Sequence, residues 1–477
     1  MDFETVIGLE VHLQLKTQTK IFCGCRNVFG SEANANVCPV CLGLPGSLPV
    51  LNRQVLLDGI KVGLALNCDI NRFVKFDRKN YYYPDLPKGY QISQYDFPIA
   101  KKGWLEFPCE GRSKRVGITR AHLEEDAGKL IHDDRLNCTL VDYNRTGTPL
   151  VEIVSEPDMH SPQEAYDYLT ALKLTLSYLN VSDCDMEKGS LRCDANVSIR
   201  PVGQTKLGTK AELKNMNSFS AVKRAVEHEV ERQTRLVLSG GQVVQETLLW
   251  DDAQSITVPM RSKEDAHDYR YFPEPDLVPF TLTAAEVESV QIGLPELPSA
   301  KLGRIRQSYG INEYDATILI QDRSLADFFE DCARLYSDYK NICNWINVAV
   351  LKEIRSRKVG LADLPLKPET LAALIQRVDD GTISNLVGKD ILSGLVDSGK
   401  SVDTVIAEQG LAQISDDAAL EKVLDEVIAA NPKTVAEVKA GKTAAMGFFV
   451  GQAMKKMQGK ANPKKLNEML TRRFQNG

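Results

Sequence analysis

No stretch of this sequence is apolar enough, for long enough, to cross a bilayer, so a helical membrane protein is not expected. Positive charge is not in excess either: 58 Lys and Arg stand against 64 Asp and Glu, a net charge of −6. A uniformly basic nucleic-acid binder is thereby excluded, and any contact with RNA has to be local or shared with a partner. The amino terminus, Met1-Asp-Phe-Glu4, is acidic and runs straight into a strand-like stretch, so no signal peptide is expected. Eleven cysteines, an odd number scattered over 477 residues, do not suit a disulfide framework and point to a reducing cytoplasm. What remains is an ordinary soluble composition, long enough for about three domains.

The densest chemistry lies in Ile118-Thr-Arg-Ala-His-Leu-Glu-Glu-Asp-Ala-Gly-Lys129, where three consecutive carboxylates follow an arginine and a histidine. Adjacent carboxylates repel and are usually held by a cation. Read as a strand, the segment puts Ile118, Arg120, His122 and Glu124 on one face and Glu125 on the other, unless the chain bulges or turns. Which glutamate faces a site stays open, and a solvated acidic turn is the bland alternative.

Other segments argue against that alternative. Val6–Leu15 alternates strictly, with Ile7, Leu9, Val11, Leu13 and Leu15 on one face and Gly8, Glu10, His12 and Gln14 on the other. Glu10 and His12 would stand about 7 Å apart, close enough to share a cation or a water. Pro149–Val154 is an apolar run broken only by Glu152, which needs a partner, a metal or a proton if buried. Leu191–Arg200 alternates again, with Arg192, Asp194, Asn196, Ser198 and Arg200 together, and Glu212 sits between Lys210 and Lys214. Strands with an apolar underside and a face of Glu, Asp, Arg and His describe an antiparallel sheet. Such a face suits a hard cation such as Mg²⁺ and a phosphate, although an elaborate surface would have the same pattern.

Four cysteines are grouped as Cys23-Gly-Cys25 and Cys38-Pro-Val-Cys41, which suits a tetrahedral zinc knuckle. Four thiolates would close the coordination shell, so the zinc would be structural. The CxC pair is tighter than the usual CxxC, and four unligated thiols remain the alternative. A zinc deaminase is not expected, because the order here is Glu10-Val-His12 and the proline lies inside the pair.

Lys75–Tyr83 interleaves basic and aromatic residues, a pattern that suits an exposed base or phosphate or else a core of tyrosines under surface charge. Helices are predicted over Pro162–Tyr178 and about Ser220–Ser239, the second ending at Gly240-Gly241. Asp268–Asp276 reads as a rigid loop carrying Arg270, and a boundary fits at Gly293–Pro298. Beyond it the chain reads as helical. Gly394–Ser401 matches the GxxxxGKS phosphate loop letter by letter, but Ile391, Leu392, Leu395 and Val396 have helical spacing, so Gly399 reads as a helix cap. From Lys439 to Gly477 nine Lys or Arg stand against one acid, a local charge of +8. Gly447 and Gly451 share one helix face there, permitting close approach of a neighbouring helix or of RNA.

LEEDAGK at 123–129, KFDRKNYYYPDLPKGYQISQYD from 75, GSLRCDANVS from 189, DYRYFPEPD from 268 and GKTAAMGFFVGQAMK from 441 together resemble the B subunits of the tRNA-dependent amidotransferases, the GatB family, over essentially the whole chain. The resemblance implies an α+β protein. It would comprise an antiparallel-sheet cradle domain at 1–292 with the zinc knuckle at 23–41, an all-helical domain at 293–405, and a small basic helical tail at 406–477 that binds tRNA. It implies a ligase that uses ATP and Mg²⁺ to phosphorylate the side-chain carboxylate of glutamate or aspartate on misacylated tRNA, then amidates it to Gln-tRNA(Gln) or Asn-tRNA(Asn). His12, Glu125 and Glu152 would line that site. Glu10, His12, Glu124 and Glu125 would be the Mg²⁺ ligands, with Asp194, Glu212 and Arg270 as weaker candidates. Gly447, Gly451, Lys455 and Lys456 would meet tRNA. No glutaminase nucleophile is evident. In the family, ammonia comes from glutamine through an amidase partner, the A subunit, tied on by a small C subunit in a cytoplasmic heterotrimer. A scaffold that only positions tRNA is the rival reading.

Overall fold

The computed structural model describes residues 2–133, 135–260, 269–413, 416–439, 445–457 and 461–475. Asp268 of the DYRYFPEPD segment and residues 441–444 of the tail segment lie outside them. The chain forms two compact units, residues 1–299 and 300–477.

The first unit is α+β. Its strands are β1 (Phe3–Gln14), β2 (Asp69–Ile70), β3 (Phe73–Val74), β4 (Asp77–Asn80), β5 (Tyr90–Ser93), β6 (Ala100–Cys109), β7 (Arg112–Glu125), β8 (Lys129–Asp133), β9 (Cys138–Asp142), β10 (Pro149–Ser155), β11 (Leu191–Pro201), β12 (Ala211–Lys214), β13 (Glu246–Asp251), β14 (Ile256–Pro259), β15 (Phe272–Pro273) and β16 (Phe280–Thr281). Its helices are α1 (Pro39–Leu42), α2 (Arg53–Ala65), α3 (Pro162–Leu179), α4 (Phe219–Leu238) and α5 (Ala284–Ile292).

Nine strands make one sheet in the order β14-β13-β12-β11-β1-β10-β7-β6-β2. Neighbours run antiparallel except β12 and β13, which are parallel. The exception follows from α4, which carries the chain from β12 back to the start of β13, as parallel neighbours require a crossover. β1 alternates as its sequence demands, with Ile7, Leu9, Val11 and Leu13 at most 1% exposed. That apolar face packs into one core with Leu123, Val151 and Ile153 of the neighbouring strands and with Ile60 of α2, Tyr168, Leu172 and Leu176 of α3, and Val222 and Val226 of α4. Burial of each such side chain is worth about 1.5–3 kcal/mol, enough to hold the register and leave the polar face outward.

β7 departs from simple alternation. Its register against β10 shifts between Val154 and Ser155, so that Val154 faces Arg120 while Ser155 faces Ile118. The bulge turns Val116 and Ile118 into the core, where both are at most 1% exposed, together with Ala121 and Leu123. Ile118 therefore does not share a face with His122 and Glu124, as unbroken alternation would have it.

The helices begin where capping predicts. Ser161 accepts from Glu164 N ahead of α3, and Ser218 accepts from Ala221 N ahead of α4. α2 lies close on the sheet because of two glycines: a Cβ on Gly59 would stand 2.8 Å from Leu123 Cδ2, and one on Gly63 would stand 2.5 Å from Ala100 Cβ.

Among the described residues, the regular elements from Pro298–Tyr309 to Pro463–Gln475 are all helical, with a π-helical stretch at Ile346–Val350. The last part of the second unit has its own apolar cluster, which includes Leu420, Leu424, Phe449, Leu466 and Leu470. The GxxxxGKS sequence lies on the helix Asn385–Ser398 and its end, with Gly399 as a left-handed cap (φ 60°). Lys400 is paired with Glu408, at 2.7 Å. The segment leading into it is helix, not strand, so the phosphate-loop geometry is excluded.

Gly63→Val is expected to destabilise the first unit by about 2 kcal/mol, because Ala100 Cβ has no torsion with which to retreat and the few tenths of a kcal/mol that valine gains over glycine in helix propensity do not offset the clash. An unchanged urea midpoint would show that α2 can lift from the sheet.

Candidate functional site

The register sets a row of four residues across the polar face. Arg192 on β11 faces His12 on β1, His12 faces Glu152 on β10, and Glu152 faces His122 on β7. Two residues along β7, Glu124 stands on the same face, opposite Leu150. The two histidines and two glutamates close into a ring. His12 Nε2 lies 3.7 Å from Glu124 Oε1 and 3.5 Å from Glu152 Oε2, while His122 Nε2 lies 3.7 Å from Glu124 Oε2 and 3.3 Å from Glu152 Oε2.

Each carboxylate thus has an imidazole on either side, which is how two buried like charges coexist. Burial disfavours a charged His12, but Glu152 and Glu124 outweigh it and raise its pKa. Burial opposes protonation of His122 as well, and Glu152 and Glu124 overcome it, carrying the group to about 9. Glu152 is held well below the carboxylate range, its burial overcome by His122 and His12. His12, Glu124 and Glu152 offer one nitrogen and two oxygens within 4.8 Å of one another, a set that could hold a metal ion. Two carboxylates and one imidazole suit a hard cation that keeps other positions for water and phosphate. His122 Nδ1 and Arg192 Nε are buried without a hydrogen-bond partner among the described residues, so the site has bonding capacity that its own side chains leave unused.

Glu125 is placed elsewhere. Its carboxylate is taken by Lys88 Nζ and by the amide of Ile92 (2.9 Å), and both side chains of the ion pair are almost fully buried. The expectation that Glu125 joins His12 and Glu152 therefore departs from the geometry; Glu124 does so, because pleating sends consecutive residues to opposite faces. Asp126, the third acid, accepts from Gln14 Nε2 (2.8 Å) and Arg192 (2.9 Å). Burial would raise it, yet Arg192 and Arg145 keep it lowered.

Along the same face, Glu10 accepts from Asn196 Nδ2 (3.0 Å) and faces Asp194 in register. Lys214 Nζ bridges Asp194 (2.6 Å) and Glu212 (2.8 Å). These three acids form a group beside the ring, not members of it. Tyr269–Asp276 packs along β4: Asn80 N donates to Tyr269 O (2.9 Å), Asn80 Nδ2 to Arg270 O (2.8 Å), and Phe272 pairs with Arg78. Arg270 itself is exposed, with φ 41°. The loop also supplies Glu274, which binds Arg78 through two hydrogen bonds of 2.7 and 2.9 Å. Burial, with the fields of Glu124 and Glu152 adding, pushes the Tyr271 phenol up. Lys79 Nζ lies 4.7 Å over the Tyr269 ring and has no carboxylate partner among the described residues. Sequence reasoning placed His122 on the right face without assigning it to the site, and it passed over Lys88 and Lys79. The basic-aromatic run Lys75–Tyr83 was the signal for Lys79, and Lys88 lies beyond it.

Cys23, Cys25, Cys38 and Cys41 come together, with Sγ–Sγ separations from Cys41 of 3.4 Å to Cys23, 3.6 Å to Cys38 and 3.7 Å to Cys25. A zinc–sulfur bond of about 2.3 Å implies tetrahedral edges of about 3.8 Å, so the cluster fits structural zinc. The fully buried Lys20 donates to Cys41 Sγ at 3.5 Å, supplying positive charge where thiolates would gather.

In the tail, Gly447 and Gly451 lie on the helix Met446–Lys456, and nothing among the described residues lies within 4 Å of a Cβ built on either. Lys455, one turn further, is exposed. Lys456, Lys465 and Arg473 are instead paired with Glu426, Asp417 and Asp425, so part of the local charge of the tail is already neutralised.

A family model described as the GatB/GatE catalytic domain matches residues 5–288, and one described as the GatB domain matches residues 327–474. The B subunit of the aspartyl/glutamyl-tRNA(Asn/Gln) amidotransferase of Carboxydothermus hydrogenoformans is 52% identical over 98% of both chains. That of Moorella thermoacetica is 54% identical over 99% of this chain and 100% of its own, and that of Brevibacillus brevis is 51% identical over 98% of both.

The His122 pKa is raised from 6.5 to about 9, so in metal-free protein its contribution to stability is fully present below about pH 6.5 and lost as pH rises through 9. Urea unfolding between pH 6 and 10 should show that loss, and His122→Asn should flatten it. A wild-type profile that matches the variant would mean the imidazole is neutral in the fold.

Proposed function

The chain belongs to the GatB family of amidotransferase B subunits, and on that premise we propose that it activates and amidates the side-chain carboxylate of glutamate or aspartate carried on misacylated tRNA. The observation that carries this reading is the ring of His12, Glu152, His122 and Glu124 on the polar face of the sheet.

A free carboxylate is a poor electrophile because its oxygen is a poor leaving group. Attack of that oxygen on the γ-phosphorus of ATP releases ADP and leaves an acyl phosphate. Ammonia then attacks the acyl carbon, and phosphate departs as the amide forms. His12, Glu124 and Glu152 would hold Mg²⁺, which when bound neutralises charge on the phosphate oxygens. His122 fixes Glu152 from the side away from His12. Lys79, whose ammonium lies over the Tyr269 ring and is paired with no described carboxylate, is available to a phosphate. Glu10, Asp194 and Glu212 border the ring, where a second cation or the substrate could meet them. Glu125 and Lys88 hold the end of β7 in place.

Zinc in the cysteine knuckle would be structural. Ammonia would come from glutamine through an amidase partner, the A subunit, held with a small C subunit, all in the cytoplasm where charged tRNA is used. The three-part division into a cradle at 1–292, a helical domain at 293–405 and a tail at 406–477 fits this work, with the tail meeting tRNA along Gly447, Gly451 and Lys455 and with Lys456 at its edge.

In the complex reconstituted with its partners, Glu124→Gln and Glu152→Gln are each expected to lower tRNA-dependent ADP release about 100-fold or more while tRNA affinity holds. Glu125→Gln should instead cost about 3 kcal/mol of stability by leaving Lys88 buried and unpaired. A stable but inactive Glu125→Gln beside an active Glu124→Gln would move the metal to the opposite face of the end of β7 and refute this assignment. On the tail, Gly451→Ala should stabilise the helix by about 1 kcal/mol and Gly451→Glu should weaken tRNA binding. Equal tRNA affinity in Gly451→Glu would exclude that face.

A further inference from the structure

Between its two thiol pairs the chain makes an excursion, residues 26–37, without regular secondary structure. Four thiolates would close a metal shell without help from it. The excursion nevertheless reaches across to the end of β9 and the turn after it. Asn34 N donates to Asp142 Oδ1 (3.0 Å) and Asn34 Nδ2 to Val141 O (3.0 Å), while Tyr143 N donates to Asn34 Oδ1 (2.8 Å). Asn36 N donates to Asn144 Oδ1 (2.8 Å), and Asn144 Nδ2 donates to Glu32 O (2.6 Å). Asn34 adopts a left-handed conformation (φ 58°) that asparagine tolerates better than most residues.

The far side of the same turn is bonded to the segment after the acidic pair. Arg145 donates to Ala127 O (2.9 Å) and Gly128 O (2.6 Å), Gly147 N donates to Asp126 O (3.0 Å), and Asp126 N donates to Thr148 O (2.8 Å). The turn therefore joins the end of β7, which carries Glu124, to the start of β10, which carries Glu152. Lys20 adds a third tie. Its buried Nζ donates to Asn36 O (2.9 Å) and to Cys41 Sγ (3.5 Å), and the next amide, Ile21 N, donates to Gly147 O (3.0 Å).

We propose that the cysteine knuckle is a clamp on the 142–148 turn, and that Asn34, Asn36 and Asn144 are positioning residues through which metal in the knuckle sets the spacing of Glu124 and Glu152. Metal cross-links the ends of an otherwise loose excursion and removes its conformational freedom. The excursion can then hold the turn at a smaller entropic cost. Coupling is reciprocal, so loosening the turn also loosens the metal. The inference rests on the zinc reading above and adds to it a path to the carboxylates.

The test uses the complex with its partner chains, zinc-loaded or stripped with a thiol-competing chelator, and hydrogen–deuterium exchange read on peptides covering 122–130 and 142–155. The helix Phe219–Leu238 is the internal reference. Stripping, and separately Asn34→Ala and Asn144→Ala, should speed exchange in both peptides about fivefold or more and leave the reference unchanged. Both variants should also release zinc to the chelator faster than wild type. The Mg²⁺ concentration for half-maximal tRNA-dependent ADP release should rise about fivefold at unchanged tRNA affinity. Faster exchange confined to residues 20–41, or an unchanged Mg²⁺ requirement, would overturn the clamp. A complex that purifies without zinc is recognised separately, by its metal content, and would refute the zinc reading together with the clamp.

Discussion

Two carboxylates cannot both stay ionised when buried a few ångströms apart unless positive charge lies between them, and the arrangement of the first unit follows from how that demand is met. Glu124 and Glu152 each lie between the imidazoles of His12 and His122. The ring exists because three antiparallel strands bring His12, Glu152 and His122 into one row. A one-residue slip of any of these strands would send its charged member into the core beneath, where nothing could pair with it. The core therefore enforces the site, and the cost of misplacing the site reinforces the register of the core.

The neighbouring charges follow the same rule. Asp126 is flanked by Arg192 and Arg145, Glu125 is closed off by Lys88, and Lys214 joins Asp194 to Glu212. Each of these acids has its cation, which leaves the ring as the place where a metal could displace protons from histidine. Lys79 differs from this background, because its ammonium lies over tyrosine and is paired with no described carboxylate. An ammonium in that state is suited to a ligand that brings its own negative charge. The acyl-phosphate reading of the family accords with such a face: a preorganised set of charges without a helix-capped phosphate loop.

Much of this was legible in the sequence. The alternation of Val6–Leu15 and Leu191–Arg200 set which residues face outward, and β1 follows it from Ile7 to Gln14 and β11 from Leu191 to Val197. The spacing of Cys23, Cys25, Cys38 and Cys41 predicted a cluster, and the apolar periodicity around Gly394 disqualified an eight-residue match to a nucleotide motif. Other features were hidden for definite reasons. The bulge opposite Val154 and Ser155 depends on how β7 meets β10, and no residue in β7 announces it. The partner of Glu125 is Lys88, 37 positions away, and only the small sheet of β4, β5 and β15 brings it there.

Local sequence was enough to set the faces of β1 and of most of β11, the ends of the helices, the family, and the residues from which a site could be made. Those properties rest on periodicity, on caps and turns, and on motif order, all of which are written within a few residues of one another. The packed fold was needed to settle which glutamate joins the histidines, which acids are already paired, and that the cysteine excursion leans on the turn beside the carboxylates. Those outcomes depend on strand neighbours and on contacts between segments more than 100 residues apart, such as Asn34 with Asp142 and Gln14 with Asp126. A pattern of one chain carries the alternation of faces, but not the identity of what stands opposite.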